Sequence, residues 1–137
     1  MAANIVADAG FLVALLTDRD ANRHWAVAAS EQYPPSWKTC EAVLSEAFYL
    51  IGSTGAAALV ELIHRGAVLP SFRFNEDSSA VLRLMRKYSD IPMSFADACL
   101  VRMTEVLSDP ILLTTDGDFR LYRRHGRSVI PVVMPTA

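Results

Sequence analysis

The chain has 137 residues, with 13 Lys and Arg against 15 Asp and Glu, for a formal net charge of −2. With 52% apolar and 20% charged residues it is too hydrophobic and too weakly charged for a disordered chain, and its length fits one domain, 1–137, around one core. It has no basic excess, so any hold on a phosphate backbone must come from a local patch or from bound cations.

Asn4–Ala7 is a short, β-rich apolar segment ending in Asp8-Ala9-Gly10, after which Phe11, Leu12, Leu15 and Leu16 take helical spacing; a strand runs into a helix. A second helix is expected over 21–33, with Trp25, Ala28, Ala29 and Gln32 on one face and Pro34-Pro35 as its stop. Over 40–51, Val43, Leu44, Ala47, Phe48, Leu50 and Ile51 recur at three and four, which predicts a core-facing helix punctuated by Gly52 and Gly55. A partner helix over 56–64 closes at Gly66, and 67–69 forms a brief strand before Pro70. Asn75 is the expected N-cap of a helix running to about Tyr88, with Glu76 and Asp77 in its first turn. Ile91-Pro92 breaks the chain before a helix over 94–107. A strand over 111–113 enters Thr114-Thr115-Asp116-Gly117-Asp118-Phe119, and 128–133 is the last β-branched strand. Short strands alternating with helices are βαβ units, so the class is α/β with a parallel sheet covered on both sides.

The run 11–16, taken as the longest apolar one, falls far short of the ~20 residues needed to span a bilayer, and the first residues lack a signal peptide's basic flank. Cys40 and Cys99 form no CxxC pair, and His24, His64 and His125 lie too far apart for a metal-ligand motif. The expectation is a soluble, cytoplasmic protein with no membrane segment, disulfide scaffold or zinc site. Trp25, Trp37, Phe48 and Tyr49 read as core, Tyr122 as an exposed turn residue able to stack on a base, His24 as structural and Cys99 as a small buried hydrophobe.

Ligands of an open parallel sheet bind beyond the carboxyl ends of its strands, and here those positions carry carboxylates. Asp8 follows the first strand, Asp116 and Asp118 follow 111–113, Asp97 opens the helix after Ser94, and Glu46 projects from the helix after Cys40. Each also has a structural reading: Ser94-Phe95-Ala96-Asp97 is a capping-box pattern, Asp8 and Asp116 suit N-caps, and Asp118 suits a solvated turn. Glu46 stands among apolar neighbours, where an unpartnered carboxylate would cost several kcal/mol to bury. Glu41, five residues earlier, falls on nearly the opposite helical face and suits the helix dipole. Carboxylates that converge must be offset by protonation or by a cation, and oxygen-only ligands favour Mg²⁺ or Mn²⁺. The chemistry that follows is metal-assisted attack of water on a phosphodiester. Arg120, Arg123, Arg124, His125 and Arg127 directly follow Asp118 and would form the basic rim; Arg83, Arg86 and Lys87 form a second cluster.

Four fragments in this order resemble PIN-domain proteins, particularly the compact VapC-type toxin ribonucleases. They are the Ile5-Val6-Ala7-Asp8 opening, the segment from Thr39 to Glu46-Ala47, the stretch Ser94-Phe95-Ala96-Asp97-Ala98, and Thr114-Thr115-Asp116-Gly117-Asp118-Phe119. The resemblance implies a central parallel sheet of four or five strands flanked by helices. It also implies a Mg²⁺- or Mn²⁺-dependent endoribonuclease leaving 5′-phosphate and 3′-hydroxyl ends, commonly a homodimer and held inactive by an antitoxin. Asp8, Glu46, Asp97 and Asp116 would be its acids and metal ligands, with Asp118 assisting, Thr114 orienting Asp116 through its hydroxyl, and Arg120, Arg123 and Arg124 gripping RNA. One departure is Gly10, where many relatives carry Ser or Asn. The competing reading is a degenerate module that binds RNA or protein without cutting. An aspartyl-phosphatase type of hydrolase ranks last, because it would want an Asp where Gly10 stands.

Overall fold

The computed structural model describes residues 3–136. β1 (Asn4–Ala7) is buried at Ile5, Val6 and Ala7, the continuous apolar run of a strand covered on both faces. It pairs in parallel with β4 (Pro110–Leu113), which sets Ala7 beside Leu113. On its other side lies β2 (Trp37–Lys38), followed by β3 (Val68–Leu69), and β7 (Val132–Val133) flanks β4. The result is a five-stranded parallel sheet in the order β3-β2-β1-β4-β7. This is the α/β architecture expected from the alternation of elements.

Helices flank this sheet. α1 (Ala9–Leu16) begins at once after β1 because Asp8 caps it, and it packs on α2 (Arg23–Gln32) and α3 (Glu41–His64). α4 (Phe74–Lys87) packs on α5 (Phe95–Val106), which lies against β1 and β4. Phe11 joins these layers, with its ring edge-to-face on Trp25 at 5.9 Å and on Trp37 at 5.2 Å. Cys40 and Cys99 are buried free thiols, and the Cys99 thiol beside it together with burial pushes the Cys40 thiol up.

Several sequence expectations shift here. The helices over 40–51 and 56–64 form one kinked element, α3, bent where Gly52 takes φ 74°, a left-handed value that suits glycine. By length and composition α3 could cross a bilayer, with mean hydropathy 1.5, although the sequence reading put the longest apolar run at 11–16. In the fold its Val43, Ala47, Ile51, Gly55 and Leu59 face the core. Its opposite side is open: Tyr49, expected in the core, is 87% exposed. The α2 core face is Ala26 and Ala29, with Ala28 and Gln32 turned outward. Arg73, not Asn75, precedes α4, whose first residue Phe74 stacks edge-to-face on Phe95 at 5.0 Å. The strand expected over 128–133 breaks before Pro131, which has no N–H to give a ladder. Its first part, β6 (Ser128–Val129), instead makes an antiparallel hairpin with β5 (Arg123–Arg124).

Candidate functional site

The chain leaves β1 for β2 on one side and reaches β4 on the other, so the strand order reverses at β1. The crevice between the carboxyl ends of β1 and β4 is where such sheets bind ligands. An open cleft of about 540 Å³ lies there, and Asp8, Glu46, Asp97 and Asp116 all line it, together with Gly10, Ser94 and Thr115. Four chain segments thus bring four carboxylates to one cleft, and no Lys or Arg lines it. The convergence stops short of a closed cage: among the described residues, no three His, Cys, Asp or Glu are grouped tightly enough to hold a metal ion.

Asp8 is buried and fully engaged. Its Oδ1 accepts from the Ala9 N–H at 2.7 Å and its Oδ2 from the Thr114 hydroxyl at 2.6 Å. Because Ala7 pairs with Leu113, the next residues, Asp8 and Thr114, fall side by side at the strand ends. The Thr114 oxygen also accepts from the Asp116 N–H at 3.0 Å. Thr114 was expected to orient Asp116 through its hydroxyl; it holds Asp116 by the backbone and gives its proton to Asp8. Burial raises the Asp8 carboxyl to about 6; the hydrogen bonds from Thr114 and Ala9 oppose this, and the charges of Asp97 and Glu46 add to it.

Asp97 fills both roles that its sequence allowed. The Ser94 hydroxyl accepts from the Asp97 N–H at 3.0 Å, and Asp97 Oδ2 accepts from the Ser94 N–H at 3.3 Å, completing a capping box. The same carboxylate lines the cleft, and burial raises its pKa, with the charge of Asp116 adding to the effect. Asp116 Oδ1 accepts from the Asp118 N–H at 2.9 Å and so starts a 3₁₀ turn over Gly117–Arg120. One oxygen each of Asp97 and Asp116 thus serves the backbone, and the other has no partner among the described residues.

Glu46 reaches this cleft for a different reason than its apolar neighbours suggested. It is exposed, and it and Leu50, one turn on, face the cleft while Val43, Ala47 and Ile51 face the core. Glu41 lies in a separate hollow with Phe72 and Arg73, as its helical angle required. Asp118 does not line the cleft; it lies in the 3₁₀ turn, two residues beyond Asp116.

The basic residues after Asp118 are placed otherwise than expected. Arg123 Nη1 donates to the carbonyls of Arg120 at 2.7 Å and Tyr122 at 3.1 Å, closing the turn. Arg124 donates through Nε and Nη2 to the Thr104 carbonyl and ties β5 to α5. Arg120 is exposed, with Nε 3.3 Å from Met134 Sδ. None of the three lines the cleft.

Tyr122, expected to be an exposed stacking residue, is completely buried. Its ring packs edge-to-face on Tyr88 at 5.1 Å and Phe119 at 5.3 Å, and its hydroxyl donates to Asp97 Oδ2 at 3.3 Å. Burial, and then the charge of Asp97, pushes this phenol up. The Gly10 departure also has a local explanation. A Cβ there would meet Thr115 Oγ1 at 2.1 Å, so the Thr115 hydroxyl occupies the space a side chain at position 10 would take.

The donors in this cleft are all oxygens, the set that Mg²⁺ and Mn²⁺ prefer and that does not suit zinc or copper. Glu46 and the unbonded oxygens of Asp97 and Asp116 are the groups that would hold such an ion beside Asp8, although as they stand no three of these acids are close enough to do so. An α/β domain that gathers acids from separate segments at the switch point of a parallel sheet suits chemistry assisted by a divalent ion. The chain belongs to the PIN domain family, whose sequence profile matches residues 5–124. PIN domains are generally nucleases and generally use divalent metals. No curated protein matches the chain.

Proposed function

We propose that the protein is a Mg²⁺- or Mn²⁺-dependent endoribonuclease. Asp8, Glu46, Asp97 and Asp116 would hold the metal, with Asp118 assisting through a water or a second ion. The carrying observation is the meeting of four carboxylates in one cleft that no cationic side chain lines. A bound divalent ion would supply a water activated near neutral pH and charge neutralisation at phosphorus. The water oxygen bonds to phosphorus as the bond to the 3′ oxygen breaks, leaving a 5′-phosphate and a 3′-hydroxyl. The chain's own residues set the frame for this. Thr114 fixes Asp8 and the Asp116 backbone together, Ser94 and Tyr122 hold one Asp97 oxygen, and Asp8, at about 6, can exchange its proton for a cation near neutral pH. Of the three candidate arginines, Arg120 is the exposed one, and it would meet RNA outside the cleft.

The role of a toxin in a toxin–antitoxin pair, a homodimeric state and a cytoplasmic location complete this proposal. They rest on the resemblance to VapC-type proteins, and the exposed Tyr49 and Leu50 beside the cleft offer an apolar surface to a protein partner.

The test is cleavage of single-stranded RNA with Mn²⁺ by purified wild type and Asp97→Asn. Loss of one such acid is expected to lower the rate by ~100-fold or more while the fold persists. Equal activity would sink the proposal. The alternative, a module that binds without cutting, is favoured by one observation, the lack of a closed trio of ligands among the described residues. It predicts retained RNA binding with no cleavage and no heat of Mn²⁺ binding.

A further inference from the structure

A second hollow, of about 320 Å³, lies where α4, α5 and the β5–β6 turn meet, and no proposed catalytic residue lines it. Arg83 and Lys87 from α4 and Arg102 from α5 bring the positive groups, His125 lines the hollow from the turn, and Glu105 is the one acid among the lining residues. That acid is already satisfied. Its Oε1 accepts from Arg102 Nη1 at 3.2 Å and its Oε2 from the His125 N–H at 2.8 Å. Arg102 is further anchored on Asp77, Nε to Oδ1 at 2.9 Å. Lys87 donates to the Gly126 carbonyl at 3.3 Å. Arg83 makes no ion pair among the described residues.

The wall supplied by the turn is built rather than loose. In the three-residue loop between β5 and β6, His125 and Gly126 both take left-handed values, φ 55° and 84°, and the Glu105 carboxylate holds the first of them in place. This turn lies beyond the residues 5–124 that the family profile matches.

Charge and position together identify the ligand class. The stretches 83–87 and 120–127 hold seven of the chain's 13 Lys and Arg and none of its 15 acids, although the whole chain is net negative. Arg86 and Arg127 are exposed beside the hollow's own cations and extend the positive surface beyond it. A surface of this kind suits a chain of phosphates better than one small anion. Arg102 and Glu105 stand five and eight residues beyond Asp97 on α5, roughly 8 and 12 Å along the axis and roughly 140° and 80° round it, at 1.5 Å and 100° per residue. The hollow therefore opens on a different flank of α5 from the acidic cleft, and a strand whose scissile phosphate sits at the cleft would bring a phosphate further along its backbone to the hollow by passing round that helix.

We propose that the hollow between α4 and the β5–β6 turn is a phosphate-binding subsite that holds the RNA backbone to one side of the cleft. It deepens the ribonuclease reading and rests on it. The acids cut and attract no polyanion by themselves; Arg83 and Lys87 hold the strand against Arg102, which its two carboxylate partners keep in place.

The test compares wild type, the double variant Arg83→Gln/Lys87→Gln, and Arg65→Gln, an exposed arginine paired with Glu61 at the far end of α3. Single-turnover cleavage of a single-stranded RNA with Mn²⁺ gives a half-saturating protein concentration and a plateau rate. The double variant is expected to need roughly tenfold more protein at low salt with an unchanged plateau, and to lower the slope of log affinity against log salt by about 1.4, two contacts at 0.7 each. Arg65→Gln should behave as wild type. An anisotropy titration of the same RNA in EDTA repeats the comparison without cleavage. Equal half-saturation and equal slope in a wild type that cleaves overturn the subsite alone. A wild type that does not cleave overturns the ribonuclease reading and leaves the subsite to be decided by the titration in EDTA. Weakened binding of a polyglutamate peptide with RNA binding intact would also overturn it, and would assign the hollow to a protein partner.

Discussion

Replacing Asp8 by Asn should make the metal-free protein more stable at neutral pH, although it removes a proposed metal ligand. A buried carboxyl raised from 3.8 to about 6 penalises the charged folded state by about 3 kcal/mol at pH 7. The sign follows from proton binding. Between these values the folded state holds the proton more tightly than the unfolded one, so this contribution is fully present below 3.8 and is lost as pH rises through about 6. Asn carries no charge at any of these pH values. Its one carbonyl can accept from the Ala9 N–H or the Thr114 hydroxyl but not both, which gives back about 1–2 kcal/mol. The net expectation is a gain of about 1–2 kcal/mol at pH 7.5 that shrinks to nothing or reverses near pH 4. Urea unfolding followed by the fluorescence of Trp37, buried against Phe11, measures it. With Mn²⁺ at ~100 times its dissociation constant, wild type should gain about 2.7 kcal/mol and Asp8→Asn much less. A variant less stable than wild type at pH 7.5 without metal, or a difference that does not change with pH, would refute the reasoning.

Thr114→Val keeps the shape but removes the donor to Asp8 and the acceptor of the Asp116 N–H. It should cost about 2–3 kcal/mol at pH 7.5 by urea unfolding, and less at pH 4.5, where Asp8 is mostly protonated. Tyr122→Phe leaves the aromatic cluster with Tyr88 and Phe119 but removes one of the two donors to Asp97 Oδ2, leaving the Ser94 N–H. Stability should change by at most about 1 kcal/mol, whereas Mn²⁺ affinity by calorimetry should fall roughly tenfold, as when a partner behind a ligand is lost. Gly10→Ala gains helix propensity within α1 but meets the Thr115 hydroxyl at 2.1 Å. It should be close to neutral in wild type and stabilising by about 1 kcal/mol in a Thr115→Ala background, a coupling that a double-mutant cycle reads directly.

The sheet was legible where several residues acted together. β1 and β4 are apolar runs long enough to show their burial, and α5 announces its start through the Ser94 and Asp97 capping box. β3 is marked in the sequence only by the Gly66 and Pro70 that bracket the strand expected over 67–69; β2 and β5 are two residues each and carry no period at all. They exist because a neighbour offers a ladder: Trp37 pairs with Val68, and Arg123 with Val129. The same limit explains the end of the chain. Val132 and Val133 join β4, but Ser128 and Val129 turn to β5, and only the hairpin reveals which partner each half takes.

The candidate site was legible to the degree that it depends on where strands end. Asp8 and Asp116 had to emerge close together once β1 and β4 were neighbours, and Asp97 had to open α5. What local sequence could not carry is which oxygen each acid keeps free, because the partners come from far along the chain. Thr114 is 106 residues from the Asp8 it bonds, and Tyr122 is 25 from Asp97. Glu46 shows the converse limit. Apolar neighbours argued for a buried charge, yet a helix with one face in the core leaves its other face open, and an exposed carboxylate at the rim costs little to keep ionised. The cleft therefore joins two kinds of acid: Asp8, Asp97 and Asp116 are fixed by backbone and hydroxyl donors, and Glu46 is held only by its helix. A site that must close around a cation has its adjustable ligand in Glu46, so metal binding should order that side chain before it moves any other.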